Sequence, residues 1–468
     1  MDEPARRLLA GWGNTAPSAA RVLPAATEED VTSALAVTFP TASASSAGRG
    51  VIGRGLGRSY GDAAQNAGGA VVDLAAGVRR PVHLDEATAL VTAWAGVSLE
   101  EVLRTIVPRG FFVPVTPGTR HVTLGGAVAA DIHGKNHHAD GTFGQHVTAL
   151  QLRLASGDTV VIGPESDPEL FWATTGGLGL TGIIEQVTFR AIRIETSRVL
   201  VDTWRMSDLD AAMAAMADSD ARVRYSVAWI DVLARGRNLG RSVLTVGDHA
   251  PRAALGPGSG DPFAFDPRPL ATAPPAVPNG LLNRFTIKAF NELWFRKAPR
   301  HRIDELQSIG AFFHPLDGIV SWNRLYGARG FVQYQCVVPL GAERALRRIV
   351  ERLSATGTAS FLAVLKRFGA AAPGPLSFPA EGWTLALDLP AGLGGLAALL
   401  DELDRHVLDS GGRLYLAKDG RMNPAHLAPM YPRLAEWQAV QRRADPLGRM
   451  RSDLARRLSL CLPPEGTS

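Results

Sequence analysis

Residues 53–62 read GRGLGRSYGD. Glycine at alternate positions lets the chain turn tightly and aims successive backbone N–H groups at one point, a nest suited to phosphate oxygens. Arg54 and Arg58 add positive charge, and Ser59 adds a donor. The spacing is not the dinucleotide fingerprint G-x-G-x-x-G, and no long helical pattern follows it. Taken alone, the stretch reads equally well as a glycine-rich hairpin loop. Short apolar runs at 51–52 and 71–74 flank it as strands.

Two further loops have the same character. Residues 117–138 read PGTRHVTLGGAVAADIHGKNHH, in which Gly125 and Gly126 precede small residues and permit close backbone approach to a flat or phosphorylated ligand. His133, Lys135, Asn136, His137 and His138 crowd too much polar function together for a core. They lack carboxylate or cysteine partners at metal-ligand spacing, so no metal is expected, and a solvated polar loop is the plain reading. Residues 174–184 read TTGGLGLTGII, a glycine-rich turn entering a strand, which by itself is readable as a structural bend. Three such loops within roughly 130 residues point to one extended phosphate-bearing ligand wrapped by backbone.

The rest of the chain sets the frame. At 468 residues it is long enough for two to three domains. Lys and Arg number 49 against 45 Asp and Glu, a surplus of +4 that does not announce a nucleic-acid binder. No run of about 18 apolar residues exists, so no membrane-spanning helix is expected. Residues 1–21 lack the apolar centre of an export signal, so a cytoplasmic location, or the cell-envelope surface reached without a cleaved signal, is expected. Two cysteines, Cys336 and Cys461, make neither a disulfide framework nor a cysteine zinc site.

Residues 98–106, SLEEVLRTI, open with Ser98 and place Glu101 three residues on, a capping box that predicts a helix. A hairpin is expected from 147–154 and 159–162, a short helix at 168–174 and a strand over 182–194. Beyond residue 196 the pattern predicts strands at 224–231, 242–246, 331–339, 360–368 and 383–389. Helices are expected at 209–216, 342–354 and 396–408. That order implies an antiparallel sheet with helices on one face. The stretch 251–280 holds eight prolines and four glycines and reads as a mobile loop. Residues 281–302 carry six Lys or Arg against one Glu, with Leu282, Phe285, Ala289, Phe290, Leu293 and Trp294 at helical spacing. This is the composition of an interfacial helix that touches anionic lipid, and equally of a packed helix with a solvated basic face. Residues 413–468 read as helical and Arg-rich.

The three loops, in this order and spacing, resemble the FAD-binding domain of vanillyl-alcohol-oxidase-type flavoproteins. Within that superfamily, RYSVAW (224–229), WNR (322–324), QYQ (333–335), VLKRF (364–368), Gly382-Trp383 and GGRLYLAKD (411–419) resemble the decaprenylphosphoryl-β-D-ribose 2′-oxidases, the flavoprotein subunits of a 2′-epimerase. The resemblance covers nearly the whole chain. It implies an α+β, two-domain fold in which segments 1–196 and 413–468 form the FAD domain around a substrate domain at 197–412. It implies oxidation of the 2′-hydroxyl of a polyprenyl-phosphate pentose, and an NAD(P)H-dependent keto-reductase partner.

Many relatives attach FAD through a histidine in the first glycine loop. The corresponding residue is Tyr60, so non-covalent FAD is expected. The resemblance assigns FAD contacts to Gly53, Arg54, Gly55, Leu56, Gly57, Arg58, Ser59, Tyr60 and Gly61. It assigns others to Gly118, Thr123, Leu124, Gly125 and Gly126, to His133, Gly134, Lys135 and Asn136, and to Ile184 and Tyr415. Tyr415 is also readable as a core aromatic. Lys418 matches the family's active-site lysine, as proton acceptor or as electrostatic stabiliser, with His133 beside it as a catalytic candidate. Tyr60, Trp229, Gln335, Lys366 and Ala386 are carried over with Lys418 as the substrate pocket. Ala386 stands where the family often has the cysteine captured by nitroaromatic inhibitors, and Thr384 where an asparagine is expected, so no thiol adduct is expected. A soluble sugar or alditol oxidase using O2, and a flavin-free scaffold, remain the alternatives.

Overall fold

The computed structural model describes residues 6–39, 48–77, 80–258, 260–278, 280–358 and 360–463. Its first layer is a four-stranded sheet ordered Arg6–Leu9, Ser18–Pro24, Ala70–Asp73, Val51–Arg54. The last three strands are parallel. Ala70, Val71, Val72, Val51 and Ile52 are essentially fully buried, as central parallel strands require. A five-stranded antiparallel sheet follows, ordered His83–Asp85, Leu90–Trp94, Ile183–Arg190, Val147–Arg153, Thr159–Ile162. The helix Leu99–Ile106 starts at the Ser98 capping box and buries Leu99, Val102, Leu103 and Ile106, one stripe at helical spacing.

The third layer is an eight-stranded antiparallel sheet. Its order is His301–Ser308, Arg198–Met206, Ser242–His249, Tyr225–Ile230, Ala363–Phe368, Gly382–Pro390, Phe331–Pro339, Arg413–Leu414. One face is covered by Leu209–Asp220, Glu343–Thr356 and Leu396–Asp409. Leu346, Ile349, Val350 and Leu353 of the second helix, and Leu399, Leu400, Leu403 and Val407 of the third, are buried there. Each such side chain contributes roughly 2 kcal/mol by leaving water. The α+β architecture implied by the resemblance is the one present.

One segment is irregular as its composition suggests, and another is less regular than expected. The proline-rich stretch after residue 250 holds only a 3-10 turn, Arg252–Ala254, and the two-residue strand Ala271–Thr272. It is tied to the body where Ser197 N–H donates to Pro262 O (2.7 Å) and Leu270 N–H to Gly318 O (2.8 Å). The segment read as helical from residue 413 begins as the edge strand Arg413–Leu414, and among the described residues its α-helices are Leu427–Met430, Leu434–Ala444 and Asp453–Arg457, with a 3-10 turn at Pro424–His426. From that edge the chain crosses back to the first layer. Tyr60 N–H donates to Ala417 O (3.2 Å), Met450 bridges Val51, and Arg451 N–H donates to Val51 O (2.9 Å).

Candidate functional site

The uncovered face of the large sheet and the three glycine loops enclose one cavity of about 1140 Å3. At the glycine end, Val51–Arg54 runs out of its sheet into a loop in which Gly57 has φ +64°. The N–H groups of residues 55–59 find no protein acceptor among the described residues, and all five residues line the same cavity. Gly55 packs so closely on Thr123 that a Cβ there would lie 2.1 Å from its Oγ1, and at Gly125 it would meet Ala95 Cβ at 2.9 Å. Gly118 faces open space, so any side chain there would enter the cavity. Thr123 caps the helix Leu124–Ala129, accepting from Gly126 N–H at 3.2 Å. Ile184 and the turn residues Gly179 and Gly182 form the opposite wall.

Several expected contact residues are placed differently. The Arg54 guanidinium is used within the protein, donating to Ala64 O (2.9 Å) and Ala10 O (2.7 Å), so it shapes the loop. Arg58 lies over the Trp12 ring, 3.8 Å from its centroid. Leu124 is core, Gly61 is pressed against the Asp419 carbonyl, and the Asn136 amide donates to Pro114 O (2.8 Å). None of these three lines the cavity; they hold its wall from behind.

The sheet end of the cavity is built by period-two alternation. Trp229, Val364, Ala386 and Gln335 sit side by side across four neighbouring strands. Lys366 lies one pleat further along, opposite Thr384. Trp229 is held by Nε1–H donating to Phe361 O (3.1 Å). Gln335 Nε2 lies 3.0 Å from His133 Nε2, and Lys366 Nζ 3.1 Å from His133 Nδ1. Burial holds His133 well below the usual histidine range, with the charges of Lys366 and Lys418 adding to it, so the ring is neutral. A neutral imidazole has one N–H. That hydrogen stands on one of the two nitrogens that Gln335 Nε2 and Lys366 Nζ approach, and burial, with Lys418 and Lys135 nearby, drives Lys366 far below the usual lysine range. Thr384, at the position where an asparagine was expected, accepts from Gln335 (3.0 Å) and donates to Cys336 O (2.8 Å).

Lys418 reaches the cavity from the returning chain. Its Nζ lies 5.4 Å from the Tyr60 ring centroid and 5.9 Å from that of Tyr415, with no protein hydrogen-bond partner among the described residues. Tyr415 stacks on Phe378 (4.6 Å) and its hydroxyl donates to Ala130 O (2.6 Å), so that hydroxyl is already engaged. Burial lowers Lys418 from its ordinary value, and the Asp388 carboxylate opposes that shift. Asp388 was not picked out from the sequence. It is fully buried on the same sheet face, accepts from the Gln333 amide, and burial raises it. The available signal was a carboxylate in an otherwise apolar strand, Gly382–Pro390.

Arg54, Arg58, Lys135, Lys366 and Lys418 line the cavity, and among the described residues no carboxylate does. Burial pushes Lys135 down to about 7. A cationic, carboxylate-free cavity with a nest of free N–H groups fits a cofactor carrying phosphates, and the residues present fit FAD on that ground. Among the described residues no group of three or more His, Cys, Asp or Glu is placed to hold a metal. No helix among them is long and apolar enough to cross a membrane.

Comparison with known proteins agrees with the geometry. The FAD binding domain family matches residues 19–163. The chain is 45% identical over 458 residues to the "Decaprenylphosphoryl-beta-D-ribose oxidase" of Mycolicibacterium smegmatis, covering 97% of each chain. The chain belongs to the decaprenylphosphoryl-β-D-ribose oxidase family. It is an FAD-dependent oxidoreductase. An uncharacterized Streptomyces coelicolor protein is 42% identical over 378 residues, 78% of this chain and all of that one. A putative D-arabinono-1,4-lactone oxidase of Neurospora crassa is 33% identical over 111 residues, 24% of this chain and 20% of that one.

Within this family, Ala386 makes a direct prediction. Its side chain faces the cavity between Gln335 and Val364. Both native thiols lie elsewhere, and burial pushes Cys336 and Cys461 each up to about 12. The native holoenzyme is expected to give no adduct in mass spectra after brief treatment with an alkylating agent at pH 7.5. Ala386→Cys is expected to gain a single adduct, blocked by a cavity ligand. Labelling of the unsubstituted protein at Cys336, which is fully buried, would contradict this placement.

Proposed function

We propose that the protein oxidises the 2′-hydroxyl of a polyprenylphosphoryl-β-D-ribose, of the decaprenyl class, to the 2′-ketone. The observation that carries the reading is the continuity of one cavity, from the cationic glycine loops past Lys366 and Lys418 to an apolar mouth at Leu282, Phe290 and Trp294. A substrate with a sugar, a phosphate and a long hydrocarbon matches that sequence of surfaces, and the name of the full-length relative supplies the same chemistry.

When bound, FAD supplies a hydride acceptor for the hydrogen on C2′. The nest at residues 55–59, with Thr123, Gly125 and Gly126, holds the phosphate-bearing part of the cofactor. Its attachment is non-covalent because Tyr60 occupies the loop position that carries histidine in many relatives. Lys418 Nζ, as the amine, takes the proton of the 2′-hydroxyl. Asp388, behind it, tunes how readily the amine takes that proton. Gln335, its amide N–H groups held by Thr384 and His133, offers Oε1 to accept from a sugar hydroxyl. Lys366, held beside His133, faces the substrate phosphate. Trp229 and the apolar rim exclude water. Atoms and charge balance: the alcohol loses a hydride and a proton and becomes the ketone. An NAD(P)H-dependent keto-reductase partner then returns a hydride to C2′ from the opposite face, completing an epimerisation to the arabinose donor.

The purified protein is expected to be yellow and to release its flavin into the supernatant on acid precipitation. Anaerobic addition of polyprenylphosphoryl ribose is expected to bleach the flavin bands. Bands that persist with this substrate but bleach with xylitol or free ribose would replace the reading by that of a soluble polyol oxidase.

A further inference from the structure

The cavity mouth is flanked by a surface that none of the described residues covers. The helix Arg284–Lys297 is anchored on one side by Ile287 and Asn291, both buried, with the Asn291 amide donating to Asp231 (2.8 Å). Its other side carries large apolar residues in water. Phe285 is 81% exposed, Leu293 68% and Trp294 45%, with Phe290 also exposed. At 100° per residue, Phe285, Ala289, Leu293, Phe290 and Trp294 fall within one arc of about 180°. Phe290 and Trp294 stack on each other and turn from this arc into the cavity. Across the mouth, Ala271–Thr272 pairs with Ile319–Val320, and there Leu270 (91% exposed), Ile319 and Val320 add a second apolar rim. Continuous exposed apolar area of this kind marks a contact surface.

Charge selects its occupant. Residues 281–302 carry six Lys or Arg and one Glu. Lys288, Lys297 and Arg300 are exposed and have no carboxylate partner among the described residues, while the single Glu292 is already held by Arg241 and Arg296. Large apolar side chains with unpaired cations around them are the complement of a bilayer surface with anionic headgroups.

We propose that the helix Arg284–Lys297 and the rim at Leu270 and Ile319–Val320 dock the protein on an anionic lipid bilayer, mouth downward. The hydrocarbon of a lipid-linked substrate then enters the cavity along Phe290 and Trp294 while its head reaches Lys418. The inference deepens the function proposed above, and rests on it for the direction of entry, but the docking itself needs no substrate.

The test is co-sedimentation of the FAD-loaded protein with vesicles of phosphatidylglycerol and phosphatidylcholine, against vesicles of phosphatidylcholine alone. Binding is expected to the anionic vesicles and to weaken with salt. The pair Phe285→Ser and Leu293→Ser, neither of which lines the cavity, is expected to weaken it about tenfold. The pair Lys288→Glu and Lys297→Glu is expected to weaken it at least about tenfold. Flavin spectrum and melting temperature should stay unchanged in both, which separates docking from folding. Wild-type protein left in the supernatant, or equal sedimentation of wild type and both variants, overturns the proposal. So does self-association that disappears with Phe285→Ser and Leu293→Ser in the absence of vesicle binding. Because the vesicles contain no substrate, failure here is distinct from failure of the flavin-bleaching experiment.

Discussion

Lys418→Met is expected to lower the rate of flavin reduction by substrate about 1000-fold while FAD stays bound. The magnitude is that of a lost proton acceptor in a hydride transfer. Methionine keeps the side-chain length and the contacts with the Tyr60 and Tyr415 rings, so the loss reports on the amine alone. The pH profile gives the sign. Only the free amine can accept a proton, so wild-type kcat/KM rises with pH through an inflection below the ordinary lysine value of 10.5, because burial lowers Lys418. The Asp388 carboxylate favours the charged form, so Asp388→Asn should move that inflection to lower pH. Stopped-flow bleaching across pH measures both. A rate that falls as the amine loses its proton would instead make Lys418 a cationic stabiliser. A Lys418→Met rate within threefold of wild type would remove it from the chemistry.

Gly61→Ala is expected to empty the flavin site in most of the purified protein. A Cβ on Gly61 would lie 1.9 Å from Asp419 O and 2.9 Å from Gly420 Cα. Both are backbone atoms, so no side chain can rotate away. Either the first glycine loop or the segment carrying Lys418 must move. Overpacking of this kind costs about 1–3 kcal/mol. A shift of about 1 Å at the reacting groups costs roughly 100-fold in rate. Flavin content per protein, melting temperature and turnover of the reconstituted enzyme should all fall. Normal values of all three would mean that the loop and the returning chain are not locked together as described.

Much of this was legible in the sequence because local chemistry and tertiary need agree. Ser98 and Glu101 fix a helix start whatever surrounds it, and the helix Leu99–Ile106 begins there. Helices such as Glu343–Thr356 carry their burial in their period, whereas the strand Phe331–Pro339 is buried on both faces. The glycine loops were visible because their composition suits little else, and Lys418 was visible only through resemblance. Asp388 escaped because a lone carboxylate in a strand says nothing about Gln333 and Lys418, which come from distant segments. The strand His301–Ser308 escaped for another reason. It is an exposed sheet edge, and its charged residues blunt an edge while erasing the alternation that marks a strand. Arg54 reads as a phosphate ligand, and sequence cannot show that its guanidinium also donates to Ala10 O and Ala64 O, shaping the loop from which it lines the cavity.

The crossing of the returning chain beneath the first glycine loop has a consequence for biosynthesis. Ser18 hydrogen-bonds Asp453, Gly61 rests on Asp419, and Val51 takes its neighbour from Met450. The nest for the cofactor's phosphates is therefore translated early, and its floor and its amine arrive on the order of tens of seconds later at ordinary ribosome speed. A nascent chain has a partial cradle and lacks Lys418, so under the proposed mechanism it has no proton acceptor. Catalytic competence comes in one late step, when the final crossover closes.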